Sequence, residues 1–251
     1  MSAPDPQAQG FDGTGELEAG GDTTEPVKRA ILLRETSRTE AFSDGVFAIA
    51  ITLLALNLAQ PVAEKYHDPV ALREALLSQW PTYIAFLVSF INILIMWASH
   101  HNVFNVIERV DHYFLLINGM VLMAATLTPF STAILAAHLG TDSAGLAAGV
   151  YSIVALYGAL AFNLLWWWAK RRDLIEPLVP PSAIKSVTRR FAIAPAVFTA
   201  ALVLSFVNSW ASVAMFLVVI AHFAVPTVRK HTLDEAEDEI IEQVEEDGPP
   251  G

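Results

Sequence analysis

Residues 38–56 read RTEAFSDGVFAIAITLLAL, and this stretch decides the fold. An arginine, a serine and an aspartate (Arg38, Ser43, Asp44) sit at the mouth of a run apolar enough to enter a membrane. An ionisable group there is costly unless it is paired or hydrated, so it is the first place to look for function. Ser37 and Glu40 have capping-box spacing, which predicts a helix starting at Ser37. Along that helix Gly45, Ile49, Thr52, Leu53, Leu56 and Gln60 share one stripe at i, i+3, i+4, i+7 spacing, with Asp44 on the opposite side. Arg38 falls on the stripe side. It reaches a network around Asp44 only across to another helix, or if the chain unwinds before Phe42.

Working outward, 54% of the 251 residues are hydrophobic and only 16% are charged, against about 25% charged in average soluble domains. The composition points to a membrane, and the helix-length apolar runs make the chain an all-α integral membrane protein. With no cysteine, disulfides, thiolate nucleophiles and Cys-ligated metals are excluded. The net charge of −11 is unevenly spread. Residues 1–27 carry six acids and no base, and residues 232–251 carry nine acids and no base, leaving residues 28–231 at +4. Residues 1–27 bury too little apolar surface to offset their ordering entropy and read as a disordered acidic tail. They lack the basic start and apolar core of a signal peptide. Residues 28–231 form the membrane domain. Residues 232–251 form an acidic cytoplasmic tail, in which Thr232 and Glu235 open a short amphipathic stretch read as a solvated helix.

Six apolar runs, near 42–60, 79–98, 113–135, 146–169, 191–208 and 210–226, predict six transmembrane helices per subunit. The last two meet at Asn208-Ser209, a polar turn suited to a helical hairpin. With the N-terminus inside, inner segments hold thirteen Lys and Arg and outer loops only Lys65 and Arg73. The positive-inside rule therefore places both termini in the cytoplasm of a multi-pass cell-membrane protein. Trp166, Trp167 and Trp168 precede a Lys-Arg-Arg cluster, where an inner aromatic belt belongs. The Phe-Ser-Asp element occurs once, so one six-helix unit is present.

Arg38-x-x-x-Phe42-Ser43-Asp44 followed by Ile49-x-x-Thr52-Leu53-x-x-Leu56 resembles the first helix of the transmembrane protein 175 potassium channels. The resemblance is close from Arg38 to Leu56 and extends loosely, through the six-span plan, to about residue 230. It implies a potassium-selective channel in which the first helices of four six-helix units line a central pore, so a single-repeat chain must assemble as a homotetramer. It implies a pore constriction of Ile49, Leu53 and Leu56, with Thr52 as the candidate polar ring at the filter. Arg38, Phe42, Ser43 and Asp44 then tie this helix to its neighbours in a structural network with Trp97, His100 and His101. Periodicity alone leaves Ile49, Leu53 and Leu56 free to face lipid or core, and Ser43 and Asp44 free to cap backbone. No TVGYG-type loop occurs, so a carbonyl-cage filter is not available.

Trp97 and His101 are one turn apart and can share a helix face, whereas the adjacent His100 and His101 point in different directions. No third ligand accompanies them, and no metal site or cofactor is read; potassium, with other monovalent cations, enters as the permeant ion. Pro129 lies inside the third run, where nearby hydroxyls can satisfy the carbonyl it frees. Asn92 and Asn163 read as interhelical glue. No phosphate loop, paired intramembrane acids or nucleophile elbow points to an enzyme, and nothing basic and aromatic enough points to nucleic acid. The partners are the lipid bilayer, the cation and further copies of the chain. Two other readings stand beside the channel: a proton- or cation-coupled secondary transporter using Asp44 and the histidines, and a non-conducting membrane scaffold. Transport favours ionisable groups near mid-membrane, and here they sit at the inner edge.

Overall fold

The structure, a computed structural model, describes residues 24–58 and 68–224. They form seven helices: α1 (Thr24–Ala55), α2 (Pro69–Ser78), α3 (Trp80–Phe104), α4 (His112–His138), α5 (Ala144–Arg171), α6 (Pro181–Ser205) and α7 (Ser209–Ala224). Among the described residues α3, α4, α5 and α6 are long and apolar enough to cross a membrane, and α7 is a shorter apolar helix. The amphipathic stretch after Thr232 and most of both acidic tails lie outside the described residues.

Three expectations change. The helix does not start at Ser37: α1 begins at Thr24, so Ser37 and Glu40 lie within it and the capping box does not form. The last four residues assigned to the N-terminal tail are thus helical. Helix α2 lies between the first two apolar runs, where no element was expected. Asp68 caps it, accepting from the Ala71 N–H at 3.2 Å, and Pro69 occupies its first turn. Finally, α6 starts ten residues ahead of its apolar run, because Pro181 opens a basic amphipathic turn before the run proper. The hairpin is as the sequence suggests: α6 ends at Ser205, and the Asn208 carboxamide oxygen accepts from the Ala211 N–H at the start of α7.

Small residues and amides set the packing. A Cβ on Gly145 would meet the Ser205 backbone oxygen at 2.7 Å, and one on Gly149 the Ser205 hydroxyl at 3.1 Å. The close approach of α5 to α6 therefore depends on glycine. We expect Gly145→Ala to lower the thermal midpoint of the detergent-solubilised protein more than Gly149→Ala. A backbone oxygen cannot rotate away as a serine hydroxyl can, and overpacking costs about 1–3 kcal/mol. Pro195 inside α6 cannot donate to the Phe191 carbonyl, and the Asn163 amide of α5 does so at 2.8 Å. Pro129 in α4 has a different solution. The hydroxyls of Thr126, Thr128, Ser131 and Thr132 bond the carbonyls of Met123, Ala124 and Thr128 rather than that of Ala125.

A buried relay crosses α3, α4 and α5: Thr132 gives its proton to the Thr128 carbonyl at 2.7 Å, so its oxygen accepts from Ser89 at 2.7 Å, and Ser89 in turn accepts from the Tyr151 hydroxyl at 3.0 Å. At one end of the bundle, Asp111 caps α4 on the Phe114 N–H and accepts from Trp168 Nε1 at 3.0 Å. Trp166 is buried and donates to Thr188 of α6. Of the three tryptophans expected in an aromatic belt, only Trp167 is exposed, with Arg171 over its ring.

Candidate functional site

α1 packs against α3 and α4, with its remaining face open. The buried face runs Ser43, Phe47, Ala50, Leu54, spaced at three and four residues. The opposite face carries Phe42 (67% exposed), Gly45, Ile49 (60%), Thr52, Leu53 (41%) and Leu56 (78%). From Gly45 to Leu56 the stripe read from the sequence is therefore the face that the protomer leaves uncovered, and Gln60 lies outside the described residues. Arg38 lies on it, exposed, because α1 continues unbroken through Ser37.

The inner side holds a hydrogen-bond chain whose polarity is fixed by its end. The Thr39 carbonyl can only accept, so the Ser43 hydroxyl, 2.8 Å away, must donate to it. Ser43 then accepts from the group facing it, so the Asn118 amide nitrogen lies there, at 3.0 Å. The Asn118 carboxamide oxygen consequently faces His100 Nε2 at 2.9 Å, and Nε2 carries the ring proton. His100 is fully buried, stacked on Phe104 and edge-on to Phe47, and its Nδ1 has no partner. The chain joins α1, α3 and α4 and runs in one direction, from His100 to the Thr39 carbonyl.

A second, more exposed pair of bonds runs alongside. Trp97 Nε1 donates to Asp44 at 2.9 Å, and His101 Nδ1 meets Glu40 at 2.9 Å. Trp97 and His101 stack at 6.0 Å, on one helix face as their spacing requires. The expected network thus divides: Ser43 and His100 in the buried chain, Asp44, Trp97 and His101 in the outer one. Arg38 and Phe42 are on the open face, and no bond among the described residues brings Arg38 to Asp44. Asn118 and Glu40 complete the two sets and were not singled out as network members. Asn118 is a lone amide inside an apolar run, the signal that marked Asn92 and Asn163; Glu40 was assigned to a cap that does not form. Among the described residues no three His, Asp or Glu side chains converge on a metal-sized space.

The division makes a prediction. Asp44→Ala removes the acceptor of Trp97 at a half-exposed site and should lower the yield of assembled protein modestly, by about 1 kcal/mol of stability. Combined with Trp97→Phe it should be less than additive, whereas combined with Arg38→Ala it should add. Thermal melts of the three single variants, the two doubles and the parent decide this.

Beyond the site, α1 ends in a tightened turn. Leu56, Asn57 and Leu58 donate their N–H groups to the carbonyls three residues back, at 3.2, 3.1 and 3.1 Å. The Asn57 amide donates to the Pro129 carbonyl of α4 at 2.9 Å.

Comparison with known proteins follows this geometry. The family described as Endosomal/lysosomal potassium channel TMEM175 matches residues 38–129, which span both halves of the polar site. A potassium channel of Chamaesiphon minutus is 44% identical over 191 residues, 76% of this chain and 94% of that protein. A potassium channel of Streptomyces collinus is 44% identical over 179 residues, 70% of this chain and 85% of that protein. The crystal structure of a lysosomal potassium-selective channel TMEM175 homolog from Chamaesiphon minutus superposes with a TM-score of 0.68 at 40% identity, covering 78% of this chain and 100% of that one.

Proposed function

The chain belongs to the TMEM175 family and is a multi-pass membrane potassium channel rather than an enzyme; from that premise we propose that it conducts as a homotetramer, with α1 of each subunit innermost. α1 and α3–α7 are the six spans, with both termini cytoplasmic as the Lys and Arg distribution requires. α2, ten residues long, is too short to span.

The observation that carries the reading is the open face of α1. It is apolar at Ile49, Leu53 and Leu56, interrupted by one hydroxyl, and lies opposite the buried polar chain of Ser43, Asn118 and His100. One helix supplies one stripe, so a pore needs several copies around an axis. Three apolar rings give a dry constriction that resists water and ions unless widened or wetted. Thr52 suits the remaining ring. Its Oγ1 donates to the Ile49 carbonyl at 2.8 Å, so what it presents outward is oxygen lone pairs, the polarity a cation needs. Four such oxygens offer potassium and similar monovalent cations a polar ring without a carbonyl cage. Ser43, Asn118 and His100 serve in this reading as fixed scaffold, while Asp44, Trp97, Glu40 and His101 brace the inner end of the pore helix.

The test is recording of purified protein in planar bilayers, paired with native mass measurement. Unitary potassium currents from a particle of four chains are expected. A stable monomer or dimer contradicts the assembly. Saturable flux without unitary events supports the secondary transporter, and no flux supports the scaffold.

A further inference from the structure

Leu56, the most exposed of the constriction candidates, lies just past the last residue of α1, with little of its own packing to hold it. Beyond Ala55 the chain continues only through i→i−3 bonds, which are poorer in geometry than those of an α-helix. Yet two side-chain amides strap α1 to α4, one at each end of the stripe. Near the inner end the Asn118 amide of α4 donates to Ser43 at 3.0 Å; at the other end the Asn57 amide donates to the Pro129 carbonyl at 2.9 Å. Ile49, Thr52, Leu53 and Leu56 lie between the straps, where α1 is otherwise held through Phe47, Ala50 and Leu54. Pro129 is buried in the interior of α4, so its carbonyl is a fixed point.

We propose that Asn57 is a positioning residue for permeation: by holding the final turn of α1 on α4 it sets where the Leu56 ring sits and how readily that ring widens. The proposal rests on the pore reading above. A carbonyl accepts only, so the amide nitrogen must face Pro129 and the bond has one direction. Asparagine to aspartate keeps the shape and removes the donor. The lower strap lies more than three turns away, so loss of Asn57 should free Leu56 and leave Ile49 where it is.

The absence of cysteine from the chain supplies the test. Leu56→Cys and Ile49→Cys each carry a single thiol, and block of the potassium current by a membrane-impermeant cationic methanethiosulfonate reports its access. In the Asn57→Asp background the rate of block at Leu56→Cys should rise about 3- to 20-fold, the population change matching a membrane hydrogen bond of ordinary strength. The rate at Ile49→Cys should hold steady. Asn57→Gln, which retains the donor, should return the Leu56→Cys rate toward the parent value. Asn57→Ala, which adds no charge, carries the same expectation as Asn57→Asp if the latter does not assemble. An unchanged rate at Leu56→Cys overturns the positioning role and leaves the pore reading standing. Equal acceleration at both thiols means general loosening and also overturns it. Labelling of both thiols with no effect on current in any background removes the pore reading itself.

Discussion

Ile49→Asn should raise unitary potassium conductance and weaken discrimination against sodium. Ile49 is 60% exposed on a helix face that is otherwise apolar between Gly45 and Leu56, apart from Thr52. In the proposed ring of four, isoleucine methyl groups would exclude water from the passage, and the barrier to an ion is the cost of shedding its hydration there. Four carboxamides replace that barrier with hydrogen-bonding groups and let the ring wet. The folded protomer should hardly notice, because no buried contact is lost. Leu54→Asn is the matched control. Leu54 is fully buried five residues further along and packs with Phe47 and Ile93, so an amide there should reduce the folded yield, with no gain in conductance. Single-channel amplitude in symmetrical potassium, reversal potential under a sodium gradient and folded yield separate the two. Unchanged permeation in Ile49→Asn, Leu53→Asn and Leu56→Asn alike would take the stripe out of the ion path.

The largest loss of stability is expected at Asn118. Asn118→Leu fills the same space but removes a donor to Ser43 and an acceptor for His100. His100 already has an unpartnered Nδ1, so the variant leaves both ring nitrogens without a bond in a fully buried site. Each orphaned group costs about 1–3 kcal/mol, and two are created. Ser43→Ala removes the acceptor of the Asn118 amide and a donor to the Thr39 carbonyl but leaves His100 Nε2 bonded, and should cost about half as much. Asn118→Asp should not rescue, since a carboxylate can still accept from His100 but cannot donate to Ser43. The thermal midpoint of the solubilised protein should rank parent, Ser43→Ala, Asn118→Leu. A ranking with Asn118→Leu above Ser43→Ala would mean that the chain is not closed as assigned.

The face of α1 was legible because a 3.6-residue period is a local property: Gly45 to Leu56 sort onto one side whatever the rest of the chain does. The partition of the polar residues was not legible. Ser43 and Asn118 are 75 positions apart and His101 and Glu40 are 61 apart, and no spacing rule links them. Arg38 was placed correctly by angle, on the stripe side, while membership of the Asp44 network rested on the family pattern alone. Helix ends were the weakest reading. Ser37 and Glu40 fit a cap in spacing, yet α1 enters from Thr24, because a capping pattern forces no start when the preceding residues are themselves helix-compatible. Asp68-Pro69 was a start signal of the same strength that did operate, at α2. Proline was half legible. A freed carbonyl was expected at Pro129, but the one that acquires a side-chain partner lies across from Pro195, where Asn163 reaches Phe191.

A cysteine scan along α1 from Gly45 to Leu56, one thiol at a time in the naturally cysteine-free chain, tests the central claim most directly. Block of potassium current by an impermeant thiol reagent should follow the helical period: present at Ile49, Thr52, Leu53 and Leu56, absent at Phe47, Ala50 and Leu54. Block with no such period, or confined to the buried positions, would contradict a pore lined by this face of α1.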